Sequence, residues 1–384
     1  MFLFLFLTIS FIPKLIQTFS HAPPEWLPGF DTYDPVRCGL SIPFKRNINR
    51  SKRKTILDSE FKVLGGESVK EGEYPWAVYI INPVLRCTGV LISKRHVLTT
   101  AHCFKKKGVN FACKTDGERI KCCNKSDAAS KKTVLSTYFI QVGSICIGEQ
   151  STLKNCKLPE YAIKYTIKKA IYNQYYENNC IGRDYAIIEL GHPIPFEQTF
   201  NSINNDNEKI TIPPNIANHI CLLHLDDKIN KLDWRKLSSP VIFGWGQSVN
   251  FNGKMKSSSF LQKAKLISLM KQEDCKNYVR RYHEDILCVI SKKNISTCAG
   301  DSGGGLSSQF EDSQGIKRWF LLGVTSMGSN CSGIILGNLT RTQTILMDTN
   351  AYYYQNVIDE FIGTQETERN KWQNLINFHA LEFC

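Results

Sequence analysis

The sequence predicts an all-β fold, a barrel or sandwich of short strands, on two observations. From Tyr74 onward the chain breaks into β-branched and aromatic runs: Trp76 to Ile81, Gly89 to Ile92, Tyr138 to Val142, Tyr185 to Leu190, Val241 to Phe243 and Phe320 to Val324. Such runs suit a pleated, half-buried surface. Turn residues separate them and no helical pattern alternates with them, which argues against a parallel α/β sheet. With 384 residues, 42% of them apolar and 22% charged, the chain can bury a sizeable core and is not broadly disordered.

The segments follow in order. Met1 to Ile12 is an apolar run too short for a membrane span, which needs about 20 residues. Thr18 and Ser20 put small residues where a signal peptidase reads, so residues 1–20 read as a secretion signal cut after Ser20. An uncleaved anchor is the alternative, and the basic residue expected before the apolar stretch is missing, with Lys14 after it instead. Residues 21–62 hold Pro23-Pro24, Pro28-Gly29, Asp34-Pro35 and a basic stretch from Lys45 to Lys54. Proline and charge at that density read as a weakly structured propeptide. The folded domain spans 63–363, and 364–384 form a tail. Tyr353, Val357, Ile358 and Phe361 fall at helical spacing, which predicts a surface helix over 350–362 docked by that stripe. A second helical stretch, Glu368 to Phe383, leads to Cys384. No later segment is long and apolar enough to cross a membrane.

Fifteen cysteines are spread along the chain without zinc-ribbon spacing. That usage belongs to an oxidising compartment, so a secreted, extracellular protein is expected. The odd count leaves at least one thiol free or bonded to another chain. Net charge is +13, of which residues 1–62 carry +4 and the rest +9, much of it in Lys105-Lys106-Lys107 and beyond. In a secreted protein such loops read first as solvated surface. Anionic, heparin-like glycans are a partner they could take, and nucleic acid is not expected.

The chemistry comes from three separated segments. Peptide hydrolysis by a serine needs a base to take its proton, a carboxylate to hold that base, and fixed N–H donors for the oxyanion. Cys298-Ala299-Gly300-Asp301-Ser302-Gly303-Gly304 has the glycines such a nucleophile loop requires. Leu98-Thr99-Thr100-Ala101-His102-Cys103 places a histidine straight after an apolar strand, and Cys87 lies sixteen residues before Cys103, a reach that suits a hairpin-closing disulfide. Arg183-Asp184-Tyr185 puts an acid at the start of the strand that ends at Leu190. Each residue also has a plain structural reading: an interior histidine, a strand-end acid, a turn serine. The chemistry calls for no cofactor and no metal.

Together with Val63-Leu64-Gly65-Gly66, Tyr74-Pro75-Trp76 and Gly244-Trp245-Gly246, these segments resemble the chymotrypsin/trypsin family, in the family's order and over most of the chain. The resemblance implies two six-stranded antiparallel β-barrels with the site between them and a C-terminal helix. It implies His102 as general base, Asp184 as its orienting partner, Ser302 as nucleophile, and the amides of Gly300 and Ser302 as oxyanion hole. Substrates would be proteins or peptides. A trypsin-like activating protease is implied by Lys62, since cleavage there frees the Val63 ammonium to pair with Asp301. Arg50-Ser51-Lys52-Arg53 also looks like a dibasic convertase site, but a cut there would not expose Val63. Family members that have lost catalysis act as binding or regulatory proteins, which is the rival reading.

The family's pairings imply disulfides Cys87–Cys103, Cys275–Cys288 and Cys298–Cys331, and Cys38–Cys221 holding the cut propeptide in place. Cys113, Cys122, Cys123, Cys146, Cys156, Cys180 and Cys384 are left open, most of them between His102 and Asp184. That long cysteine-bearing stretch and the extended C-terminus are similar to the nematode trypsin-6-like group. Ser296, six residues before Ser302, stands where trypsins carry an aspartate, so with Gly328 and Gly337 on its walls the pocket resembles one for large apolar side chains. Ser326-Met327-Gly328 would pair with the substrate backbone, with Met327 replacing the usual tryptophan. Sequons occur at Asn49, Asn124, Asn294, Asn330 and Asn338, and a glycan on Asn330 would crowd the pocket rim.

Overall fold

In a computed structural model, the residues described are 37–41, 66–109, 115–116, 119–120, 123–147, 162–196, 200–203, 209–212, 217–222, 240–249, 255–279, 282–292, 295–311, 315–328 and 343–363. The signal segment, most of the propeptide, the tail with its expected helix, and Lys62, Val63, Cys331 and Gly337 lie outside them.

Strands β1 (Ala77–Ile81), β2 (Cys87–Leu91), β3 (His96–Thr99), β4 (Phe139–Val142), β5 (Ile163–Ile171) and β6 (Ala186–Leu190) form one barrel. They close antiparallel in the order β1-β2-β3-β6-β5-β4. Val78, Ile80, Leu91, Val97, Ile140 and Ile188 share its inner face by register and are buried there. Each such aliphatic side chain contributes about 1.5–3 kcal/mol by leaving water, so packing alone makes this barrel a firm frame.

The second barrel is built from β7 (Val241–Gly244), β8 (Gln262–Lys265), β9 (Ser268–Leu269), β10 (Ile286–Lys292), β11 (Gly305–Glu311), β12 (Lys317–Met327) and β13 (Gln343–Asn350). Its order is β8-β7-β11-β12-β13-β10-β9. β8 and β9 are two pieces of one run, separated by Leu266 and Ile267, whose amides donate to Pro240 O and Ile290 O, each at 2.8 Å. That run pairs with β7 at one end and β10 at the other, so the sheet comes round on itself. Two short strands join the edges, Glu67–Ser68 against β8 and Cys221–Leu222 parallel to β12.

The C-terminal helix α1 spans Gln355–Ile362 and ends at Gly363, left-handed at φ +78. Its buried stripe is Tyr354, Ile358 and Ile362, while Tyr353 is 47% exposed. The expected placement of Tyr353 in the stripe is therefore corrected. A 3-10 turn over Tyr352–Tyr354 precedes the helix and shifts the phase by one residue.

Disulfides join Cys87 to Cys103, Cys275 to Cys288 and Cys38 to Cys221. Cys123 bonds Cys180, a pair the sequence left open. Cys146 and Cys298 are also disulfide-bonded, to partners outside the described residues. The segment 37–41 is held by more than its sulfur. Gly39 N–H donates to His219 O at 2.8 Å, Trp319 N–H donates to Gly39 O at 2.9 Å, and Arg318 Nη1 donates to Cys38 O at 3.0 Å. Gly39 has φ +67, and a Cβ there would lie 2.4 Å from Trp319 O, so only glycine fits.

Candidate active site

His102 lies three residues beyond the end of β3, in a 3-10 turn over Ala101–Phe104. Ala101, Cys103 and Phe104 are buried, and the Cys87–Cys103 disulfide ties the turn to β2. The histidine is thus fixed on both sides while its side chain stays 13% exposed. Asp184 directly precedes β6 and is 5% exposed. Its Oδ1 accepts the His102 backbone N–H at 2.9 Å, and its Oδ2 lies 2.7 Å from His102 Nδ1. Ser326 Oγ donates to the same Oδ2 at 2.5 Å. Burial by itself would raise the Asp184 carboxyl. The attraction and hydrogen bonds of His102, with the Ser326 hydroxyl, outweigh that and hold it below its usual value. A carboxylate with three donors keeps the imidazole in one orientation.

The turn that delivers Asp184 is strained. Asn179, Cys180 and Arg183 have φ of 53, 59 and 55, and Gly182 has φ 59. Left-handed non-glycine residues each cost of order 1–3 kcal/mol and persist only where the surroundings hold them.

Ser302 sits in a loop grasped by both barrels. Its carbonyl accepts Thr88 N–H from β2 at 2.8 Å, and Thr88 Oγ1 donates to Gly300 O at 2.9 Å. From the other side, Gly303 N–H donates to Thr325 O of β12 at 2.8 Å. A Cβ on Gly303, at φ +81, would fall 2.0 Å from Thr99 Oγ1, so the backbone lies directly on barrel 1, one residue from Ser302. The amides of Asp301, Gly303 and Gly304 all donate to backbone carbonyls. Those of Gly300 and Ser302 have no acceptor among the described residues, which leaves them available to an oxyanion. No hydrogen bond joins Ser302 Oγ to His102; without substrate this contact is commonly long or misaligned.

Asp301 is buried, and its carboxylate accepts Gly246 N–H at 2.8 Å and Cys298 N–H at 2.9 Å. Burial pushes it up to about 6 against those two donors. A Cβ on Gly246 would lie 2.1 Å from Asp301 Oδ2, so the Gly244-Trp245-Gly246 backbone forms the wall of this carboxylate's cell. Ser296 is fully buried, and a Cβ on Gly328 would lie 3.4 Å from its Oγ, which puts these two expected pocket residues side by side. Met327 is 49% exposed beside them.

The family assignment rests on where the match falls. The trypsin family profile matches residues 63–121 and 146–347, more than half of the chain and all three segments of the site. The chain belongs to the trypsin family. Trypsin-like protease try-5 of Caenorhabditis elegans is 26% identical over 310 residues, 75% of this chain and 83% of that protein. Transmembrane protease serine 11C of Mus musculus is 27% identical over 285 residues, 73% of this chain, which spans about half (51%) of the mouse protein. Phenoloxidase-activating factor 3 of Holotrichia diomphalia is 24% identical over 308 residues, 77% and 73% of the two chains. Among the described residues, no helix is long and apolar enough to cross a membrane.

This trypsin-family site also uses residues that the sequence did not point to. Thr88 braces the nucleophile loop, and Thr349 Oγ1 donates to Asp184 O at 3.0 Å. Asp348 is fully buried in β13, opposite Thr325. Burial pushes its carboxyl up to about 7, and the Thr325 hydroxyl only partly offsets that. No local signal marks any of these, because each acts across a long sequence separation.

Proposed function

We propose that the chain is a secreted serine endopeptidase, made as a zymogen and activated by cleavage after Lys62. His102 takes the proton of Ser302 Oγ as that oxygen attacks the carbonyl carbon of a substrate peptide bond. The amides of Gly300 and Ser302 receive the oxyanion, and Asp184 holds the imidazole through Nδ1 and offsets its positive charge. His102 then gives its proton to the leaving amine, and the acyl-enzyme is hydrolysed by water through the same steps in reverse. The observation that carries this reading is the His102–Asp184–Ser326 hydrogen-bond chain beside a loop with two unused amides.

In this reading residues 1–20 are the signal and 21–62 the propeptide, which stays attached through Cys38–Cys221 and the bonds around Gly39. The freed Val63 ammonium would pair with Asp301, offsetting a burial cost that two amides leave incomplete. Ser296 supplies no charge, so this wall of the pocket favours large apolar side chains before the scissile bond. The exposed Met327, where the family usually has a tryptophan, favours the second reading, a catalytically weak or inactive homologue that binds or regulates.

One experiment separates the two readings. The Lys62-cleaved protein is treated with a fluorescent fluorophosphonate beside a Ser302→Ala control. Labelling of the former alone supports the enzyme, and no labelling of folded, correctly cut protein overturns it.

A further inference from the structure

Asp285, just ahead of β10 in barrel 2, is 1% exposed and carries three side-chain hydrogen bonds. Its Oδ2 accepts Arg183 N–H at 2.6 Å and the Tyr354 hydroxyl at 2.5 Å, and its Oδ1 lies 2.5 Å from His283 Nδ1. Arg183 is the residue before Asp184. Tyr185, the residue after it, stacks on Tyr354 with ring centroids 3.8 Å apart. Two residues before Asp184, Gly182 faces His283 so closely that a Cβ would fall 2.1 Å from the ring.

We infer that Asp285 is a positioning residue for catalysis, a carboxylate of one barrel that grips the turn delivering Asp184 from the other. The inference rests on the endopeptidase reading of the site. The physical need is plain from the backbone. Arg183 is left-handed at φ 55, a conformation that relaxes unless something holds its amide. Asp285 holds that amide directly, and through Tyr354 it holds the aromatic ring that follows Asp184. The acid is therefore bracketed on both sides by one carboxylate, while Thr349 and Ser326 of the same barrel bond Asp184 itself. The orientation of the histidine in barrel 1 is thereby set by barrel 2.

The test uses the full chain cut after Lys62. Active sites are counted with a fluorophosphonate, and kcat and KM on a peptide substrate are then expressed per titrated site. Asp285→Ala is expected to lower kcat about 10- to 100-fold, the range for a catalytic group moved by a fraction of an ångström to an ångström, with little change in KM. The acid limb of the pH–rate profile should move as well, and Asp285→Asn, which keeps one acceptor oxygen, should recover part of the loss. A purely structural role would lower the titrated fraction and leave kcat per site and the acid limb unchanged, which overturns the inference. Should Asp285→Ala not fold, Tyr354→Phe removes a single hydroxyl and should show the same split at about 2- to 10-fold; no change there overturns it equally.

A readout independent of turnover is the low-field proton resonance of the His102 Nδ1–H bonded to Asp184, followed in Ser302→Ala protein. It should shift or broaden when Asp285 is replaced, and an unchanged signal would count against the clamp. Failure of the parent protein to take the fluorophosphonate would instead overturn the endopeptidase reading.

Discussion

Barrel 1 fills its interior with aliphatic side chains, and the histidine it buries deeply, His96, is held neutral. Burial first, then the charges of Arg95, Lys168 and Lys169, push that ring down to about 3, and Ser93 Oγ lies 2.8 Å from its Nδ1. Apart from Asp184 at the junction, the buried carboxylates of the two barrels lie in barrel 2: Asp285, Asp301 and Asp348. One is satisfied by the turn of the other barrel, one by two backbone amides, and one has only the Thr325 hydroxyl against its burial. The frame that carries His102 is thus set by packing that pH and ions barely touch. The barrel that carries Ser302 depends on charges whose burial is only partly compensated. The ammonium freed by the proposed activation would have its natural target in the second barrel.

The comparison can be tested at several sites. The largest effect is expected at the junction: Asp184→Asn keeps the shape but loses the charge and the tautomer it selects, and kcat should fall about 10⁴-fold. Steady-state kinetics on active-site-titrated protein would show it, and a loss below tenfold would detach Asp184 from the mechanism. Next comes the frame. Ile188→Ala in the core of barrel 1 should cost about 2–5 kcal/mol in denaturant unfolding, equally at pH 5 and pH 8.

Barrel 2 should respond to pH in a defined direction. Asp301 and Asp348 are raised by burial to about 6 and about 7 from 3.8. The folded state therefore keeps protons that the unfolded chain releases. Their contribution is complete below about pH 4 and is lost as pH rises through about 6 to 7. Asp348→Asn should raise stability by about 1 kcal/mol or more at pH 8 and leave it unchanged at pH 4. Equal gains at both pH values would show that this carboxylate does not titrate as described. The smallest effect is expected of the tether. Replacing Cys38 and Cys221 together by serine should release the cut propeptide on a non-reducing gel without loss of activity.

The sequence made much of barrel 1 legible because its strands are dense β-branched runs, and Trp76 to Ile81 or Tyr185 to Leu190 end within one residue of the observed elements. In barrel 2, β10 and β13 carry serine, threonine, lysine and aspartate among their apolar residues, which dilutes the same signal. His102 and Ser302 stand in local motifs and can be read from a few neighbours. Thr88, Asp285 and Thr349 reach partners 212, 102 and 165 residues away, and nothing in their immediate sequence marks them. The buried stripe begins at Tyr354 and not at Tyr353 because a 3-10 turn, with three residues per turn, resets the phase before the α-helix begins.

The central claim is that Ser302 becomes reactive only when barrel 2 is set by the new N-terminus. The rate of fluorophosphonate labelling, measured for intact protein, for protein cut after Lys62 and for cut Asp301→Asn, tests it most directly. Cut wild-type protein should react at least 100-fold faster than the other two, the range for losing one oxyanion donor being about 10²–10³. Equal rates before and after cleavage, or undiminished labelling of cut Asp301→Asn, would contradict it.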